Sequence, residues 1–154
     1  MLWRMSTEPF DFRVHPERLA IARLAPDAPL PRWANGGFVT VSRTPEELSI
    51  VCAERRVPDA RPAGPAASAL QLDAESPLAV ERGRAALSIV GNVPMTTIGV
   101  LASLCAALAA ERISVFAIST YETDWLLVRA DRLDDARAAL ERLGHRTHGE
   151  SPRA

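Results

Sequence analysis

Between residues 84 and 148 the apolar residues switch repeatedly between a strand-like and a helix-like period, and the order of the switches restricts the fold. Residues 84–90 (Arg-Ala-Ala-Leu-Ser-Ile-Val) form a short apolar run that stops at Gly91, the pattern of a strand. Residues 96–110 follow with Ile98, Leu101, Leu104, Cys105 and Leu108 at three- and four-residue spacing, one face of a helix. Thr96 or Thr97 is suited to cap that helix. Residues 113–119 and 124–129 are two further strands, joined by a hairpin over residues 120–123. Residues 132–143 form a second helix, with Asp131 as its expected cap and Gly144 as its stop. Its buried stripe is Leu133, Ala136, Leu140 and Leu143, and a short last strand at residues 145–148 closes the series. The order β-α-β-β-α-β is the split βαβ, ferredoxin-like arrangement.

The strands at 113–119 and 124–129 are apolar on both faces: Val115 and Ala117 point one way, Phe116 and Ile118 the other. Helices cover only one face of such a sheet. The other face therefore needs a partner, either the preceding part of the chain or a second chain.

That preceding part is shorter. It has strands at residues 19–24, 38–42 and 48–53, and residues 25–37 leave room for one helical turn at most. The stretch 58–77 carries Pro58, Pro62, Gly64, Pro65 and Pro77 without any period, and reads as a linker or long loop. The boundaries are accordingly a truncated unit at 12–57, the linker at 58–77 and a complete unit at 78–149. The order of residues 1–17 is left open. An internal repeat ties the two units together. Residues 38–51 align with residues 115–128 at a shift of 77 without a gap, so that Ser42 meets Ser119, Glu47 meets Asp124 and Leu48 meets Trp125.

Composition removes several classes of function. With 154 residues, 47% apolar and 24% charged, the chain can bury a core without staples. A net charge of −1 gives no basic field for a phosphate backbone, so no nucleic acid is expected. All 18 basic residues are arginine, which excludes a P-loop lysine and a Schiff-base lysine. The two cysteines fall on an apolar strand (Cys52) and an apolar helix (Cys105), as packing residues do. His145 and His148 lack further ligands for a metal, and no cofactor motif occurs. The longest apolar run, residues 98–110, is too short to span a bilayer, and no signal segment is visible. A cytoplasmic protein without catalytic residues is the expectation.

The run Ile113-Ser-Val-Phe-Ala-Ile-Ser-Thr-Tyr-Glu-Thr-Asp-Trp-Leu-Leu-Val128 resembles the signature of aspartokinase-type ACT domains. More closely, it resembles small bacterial proteins made of two tandem ACT-like units. Arg43-Thr-Pro-Glu-Glu-Leu-Ser-Ile-Val-Cys52 is similar to their first-unit motif, and Thr97-Ile-Gly-Val-Leu-Ala-Ser-Leu104 to the start of their helix. The resemblance implies an α+β fold of ferredoxin-like ACT type, a tandem repeat with a truncated first unit. It also implies a regulatory or sensor protein that binds a small molecule, mostly an amino acid, at the interface of its units and performs no chemistry. The family usually carries an acidic and an aromatic residue after the first strand of the second unit; Gly91-Asn92-Val93-Pro94-Met95 has neither.

A free amino acid brings a carboxylate and an ammonium. The carboxylate suits a helix N-terminus, which places Thr97, Ile98 and Gly99 at the expected site. The ammonium suits a carboxylate, and Asp124 beside Thr120 and Tyr121 is the best placed. By the repeat, Thr44, Glu47, Leu48 and Ser49 hold the matching place in the first unit. Each has a plainer role: Asp124 as a hairpin cap, Tyr121 as a turn aromatic, Gly99 as a packing residue. The rival function is a non-catalytic interaction or oligomerisation module with a vestigial site, and the partner is then a homodimer copy or a regulated protein. Catalysis ranks last, since no nucleophile–base pair can be assembled.

Overall fold

The computed structural model describes residues 9–62 and 75–150. They form two compact units, one of residues 9–17 with 84–150, the other of residues 18–62 with 75–83. The fold is α+β.

The larger unit contains strand β1 (Asp11–Val14), the second part of β5 (Ala79–Ile89), helix α1 (Val100–Ala110), β6 (Val115–Ser119), β7 (Asp124–Arg129), helix α2 (Leu133–Arg142) and β8 (Arg146–His148). From β5 onward this is the predicted β-α-β-β-α-β series. Its strands lie in the order β6-β7-β5-β1-β8. β7 is antiparallel to β5, with Leu87 opposite Leu126, and β6 is antiparallel to β7, with Ser119 opposite Asp124. β1 slots between the first and last strands of the series: it is antiparallel to β5, with Phe12 opposite Ile89, and parallel to β8, with Phe12 opposite Thr147. Residues 9–17, left open by the sequence, thus complete this sheet.

One face of β5, β1 and β7 meets both helices. Phe12, Leu87, Leu104, Leu108, Leu126 and Leu140 are fully buried there. Burial of each such side chain stabilises the fold by about 1.5–3 kcal/mol.

Several expectations change in detail. α1 begins at Val100, four residues later than expected, because Gly99 takes the left-handed conformation at φ 85°. Neither Thr96 nor Thr97 caps it, and no side chain does. The helix presents Val100, Leu104 and Leu108 to the core, with Leu101 and Cys105 half-buried; Ile98 precedes the helix and is 57% exposed. α2 has no side-chain cap either: Asp131 binds the Arg129 guanidinium instead, at 2.7 and 3.0 Å. Leu143 lies beyond the end of α2 and is exposed, whereas Ala139 completes the buried stripe. Among the described residues β6 pairs only with β7, so it is an edge strand there, with Phe116 and Ala117 exposed.

The smaller unit contains β2 (Leu19–Leu24), β3 (Val39–Arg43) and β4 (Leu48–Ala53), all antiparallel, with the first residues of β5 continuing the sheet beside β2. No α-helix occurs among its described residues. Its core is Ala20, Ala22, Leu24, Leu48, Ile50, Cys52 and Val57, with Trp33 packed against it. The Trp33 indole N–H donates to the Glu75 carbonyl at 2.8 Å. The described ends of the proline-rich stretch belong to this unit. Arg82 donates to the carbonyls of Val57 and Pro58, and Arg61 to that of Ser76. By compactness the chain divides at 17/18 and 83/84, and arginine side chains tie the described ends of the proline-rich stretch to the smaller unit. Residues 63–74 of that stretch lie outside the described residues.

The hairpin registers also correct the repeat. In the larger unit Ser119 pairs with Asp124 around the turn 120–123, and the Thr120 N–H donates to the Thr123 carbonyl. In the smaller unit Arg43 pairs with Leu48 around the turn 44–47, and the Thr44 N–H donates to the Glu47 carbonyl. The hairpins therefore correspond at a shift of 76, one less than the sequence match. Thr44 stands where Thr120 stands, Glu47 where Thr123 stands, and Leu48 where Asp124 stands.

Candidate functional site

A cavity of about 530 Å³ lies in the larger unit, between the loop and first turn of α1 on one side and the β6–β7 hairpin on the other. The volume is in the range of small-molecule sites. The first wall comes from Val93, Pro94, Met95, Thr97, Gly99 and the opening turn of α1, Val100 to Ala102. The second comes from Ser119, Thr120, Tyr121, Thr123 and Asp124.

The first wall is shaped by a turn and a glycine. The Thr97 N–H donates to the Pro94 carbonyl at 2.8 Å, closing a turn over 94–97. Gly99 then admits a left-handed backbone that a Cβ would oppose, and the chain enters α1 directly at the cavity. The helix's first i→i+4 bond runs from the Ser103 N–H to the Gly99 carbonyl at 3.0 Å. The preceding N–H groups of Val100, Leu101 and Ala102 are thus the orphan donors of the helix, with no capping side chain over them. Partial positive charge from the macrodipole gathers at this end.

The opposite wall carries the site's single charged side chain, Asp124. It opens β7, and the Ser119 hydroxyl opposite it donates to Oδ1 at 2.5 Å. Thr120 and Thr123 fix the hairpin: the Thr120 hydroxyl donates to the Thr123 carbonyl at 2.9 Å, and the Thr123 hydroxyl to the Ile89 carbonyl at 2.8 Å. The Val93 N–H donates to the Glu122 carbonyl at 2.7 Å, which joins the two walls at one end. Tyr121 and Met95 are 80% and 75% exposed.

Of the residues named from sequence, Thr97, Gly99, Thr120, Tyr121 and Asp124 come together here. Ile98 sits on the same loop but outside the lining. Thr44, Glu47, Leu48 and Ser49 belong to the other unit, where Thr44 accepts hydrogen bonds from the N–H groups of Glu46 and Glu47 and Leu48 is buried in the core. Leu48 therefore offers no surface to a ligand. Val93, Met95, Val100 and Leu101 were not among the residues named. The signal for them was the break at Pro94, which turns the loop back over the helix start.

The histidines are occupied elsewhere. His145 and His148 both engage β1, His148 at 3.1 Å from the Asp11 carboxylate and His145 at the Phe10 N–H. Among the described residues no group of three or more His, Cys, Asp or Glu side chains could hold a metal ion. No helix of the described residues is long and apolar enough to cross a membrane.

The ACT domain family matches residues 79–142, the segment that contains the cavity. A second family, described as an N-terminal domain, matches residues 17–60. No curated protein sequence is significantly similar to the chain. Among solved structures, a protein from Agrobacterium tumefaciens is 27% identical, with a TM-score of 0.75 over 96% of this chain and 98% of that one. A Vibrio cholerae protein of unknown function, described as a possible transport protein, is 16% identical with a TM-score of 0.62, covering 89% and 91%. The ligand-free regulatory subunit of aspartate kinase from Thermus thermophilus is 13% identical with a TM-score of 0.55, covering 86% and 96%. The last two show the fold alone. Motif, fold and family match agree that residues 79–142 of the chain form an ACT-type domain.

Proposed function

We propose that this chain is a non-catalytic regulatory protein that senses a free amino acid in the cavity of its larger unit. One observation carries the reading. An uncapped helix N-terminus and a carboxylate stand on opposite walls of one cavity of about 530 Å³. The orphan N–H groups of Val100, Leu101 and Ala102 suit an α-carboxylate. Asp124 suits an α-ammonium, with Ser119 and the hairpin carbonyls as further polar groups. The fold likeness to a regulatory subunit of aspartate kinase supports a regulatory role for such binding.

A thermal-shift scan of the whole chain against the twenty amino acids tests this. A ligand at 100 times its dissociation constant adds about 2.7 kcal/mol. For a chain of this size that raises the melting point by about 5–10 °C. A selective rise that Asp124→Asn abolishes is the expected result. No rise with any amino acid at millimolar concentration refutes the reading.

A second reading has its own observation. Among the described residues the side of β6 away from β7 has no strand beside it and Phe116 is exposed, and such edges invite pairing with another chain. On that reading the protein is an oligomerisation module, and light scattering shows a dimer that Phe116→Lys dissociates. A monomer in the absence and presence of amino acids removes it.

A further inference from the structure

The lining of the cavity says more than that an amino acid fits; the following rests on the amino-acid reading above. Basic residues are abundant in the chain, yet between Ala85 and Val128 the single one is Arg112. It follows the last turn of α1, about 16 Å along the helix from the cavity end. The segments that build the cavity contain no arginine, no lysine and no histidine, and their charged side chains are Asp124 and the neighbouring Glu122. With Asp124 facing the ligand's ammonium, a second anionic group on the ligand finds no cation. The other donors are uncharged: the helix N–H groups already given to the α-carboxylate, and the hydroxyls of Thr97, Tyr121 and the hairpin residues Ser119, Thr120 and Thr123.

Apart from Thr97, the side chains of the helix-side wall are apolar. Val100 is buried, Leu101 and Val93 are half-buried, and Pro94 and Met95 continue the same surface toward the mouth. A carboxylate placed there loses water without gaining a cationic partner. It also faces the negative charge of the hairpin. A long cationic side chain loses less, because its stem can lie on the apolar wall while the head returns to solvent past Met95. Met95 adds an adaptable thioether, which accommodates branched and unbranched aliphatic groups alike.

We infer that the cavity selects amino acids with uncharged aliphatic side chains, of the valine, leucine and methionine class, and rejects aspartate and glutamate. The rank order is aliphatic first, basic second, acidic last.

Titration calorimetry on the full chain near neutral pH reads this directly, with leucine, methionine, valine, lysine, arginine, aspartate and glutamate as probes. Aspartate and glutamate bind at least about tenfold more weakly than leucine, a difference of about 1.4 kcal/mol. Thr97→Arg, which puts a guanidinium on the wall, narrows or reverses the leucine-to-glutamate ratio. Acidic amino acids binding as tightly as leucine overturn the inference and leave the sensor reading standing. Lysine or arginine binding more tightly than the aliphatic set overturns it as well. Heats absent for every amino acid overturn both.

Discussion

The Nδ1 atom of His145 accepts a hydrogen bond from the backbone N–H of Phe10 at 3.1 Å, across 135 positions of the sequence. Its ring sits between those of Phe10 and Phe12, with centroids 5.6 Å from each. The Arg146 N–H answers with a bond to the Phe10 carbonyl at 3.0 Å. One histidine thus ties the start of β1 to the turn before β8. An accepting Nδ1 carries no proton, so the contact requires the neutral ring.

Acid should loosen this contact. Burial pushes the His145 pKa below its ordinary 6.5, because desolvation disfavours the charged ring. His15, just beyond the other end of β1, is lowered too, by burial first and the charge of Arg13 second. A lowered pKa means that the fold prefers the neutral form. The stabilisation is therefore complete above pH 6.5 and is lost as the pH falls through the lowered values. Urea midpoints should fall between about pH 7.5 and 5. His145→Leu should cost about 1–2 kcal/mol at the upper pH by orphaning the Phe10 N–H. It should also show a smaller fall on acidification than the parent chain. A variant whose midpoint falls as steeply as the parent's contradicts the assignment.

Much of the larger unit was legible because long helices and apolar strands carry strong periods. β7 begins at Asp124 and ends at Arg129, as read from Asp-Trp-Leu-Leu-Val-Arg. β1 was not legible. Asp11-Phe-Arg-Val14 is four residues long, and its strand character comes from Ile89 and Thr147, far away in sequence. The start of α1 was misplaced for a local reason: Thr96 and Thr97 look like caps, but the turn at Pro94 and the left-handed Gly99 consume the residues between them and the helix. The site was half legible. Asp124 announced itself as a carboxylate at a hairpin, whereas Val93 and Leu101 are ordinary apolar residues until a cavity forms around them. The repeat misled in a specific way. Matching residue types favoured a shift of 77, while hairpin hydrogen bonds follow turn geometry and give 76.

Gly99 separates backbone strain from access to the cavity. Its φ of 85° is costly for any residue with a Cβ, so Gly99→Ala should destabilise the chain by about 1–2 kcal/mol. The added methyl sits on the cavity wall, so amino-acid binding should weaken as well. Gly91→Ala is the matched control. Gly91 has a φ of 96° with open space around a built Cβ, and it is not part of the lining. It should lose similar stability in urea titration and retain full affinity. Equal affinity in both variants would mean that Gly99 serves folding alone.

The register of the two hairpins makes a sharper prediction about Glu47 and Asp124. Sequence matching makes them counterparts, so both would hold ligand. The hairpin pairing makes Leu48 the counterpart of Asp124 and leaves Glu47 in the turn. Leu48 is fully buried and uncharged, so the smaller unit has no carboxylate where the larger unit has one. Asp124→Asn should therefore lower amino-acid affinity by about tenfold or more, as loss of a charge-assisted contact does. Glu47→Gln should leave it unchanged, and calorimetry should give one ligand per chain. Two ligands per chain, or a loss of affinity in Glu47→Gln as large as in Asp124→Asn, would restore the symmetrical site and reject the 76-residue correspondence as a guide to function.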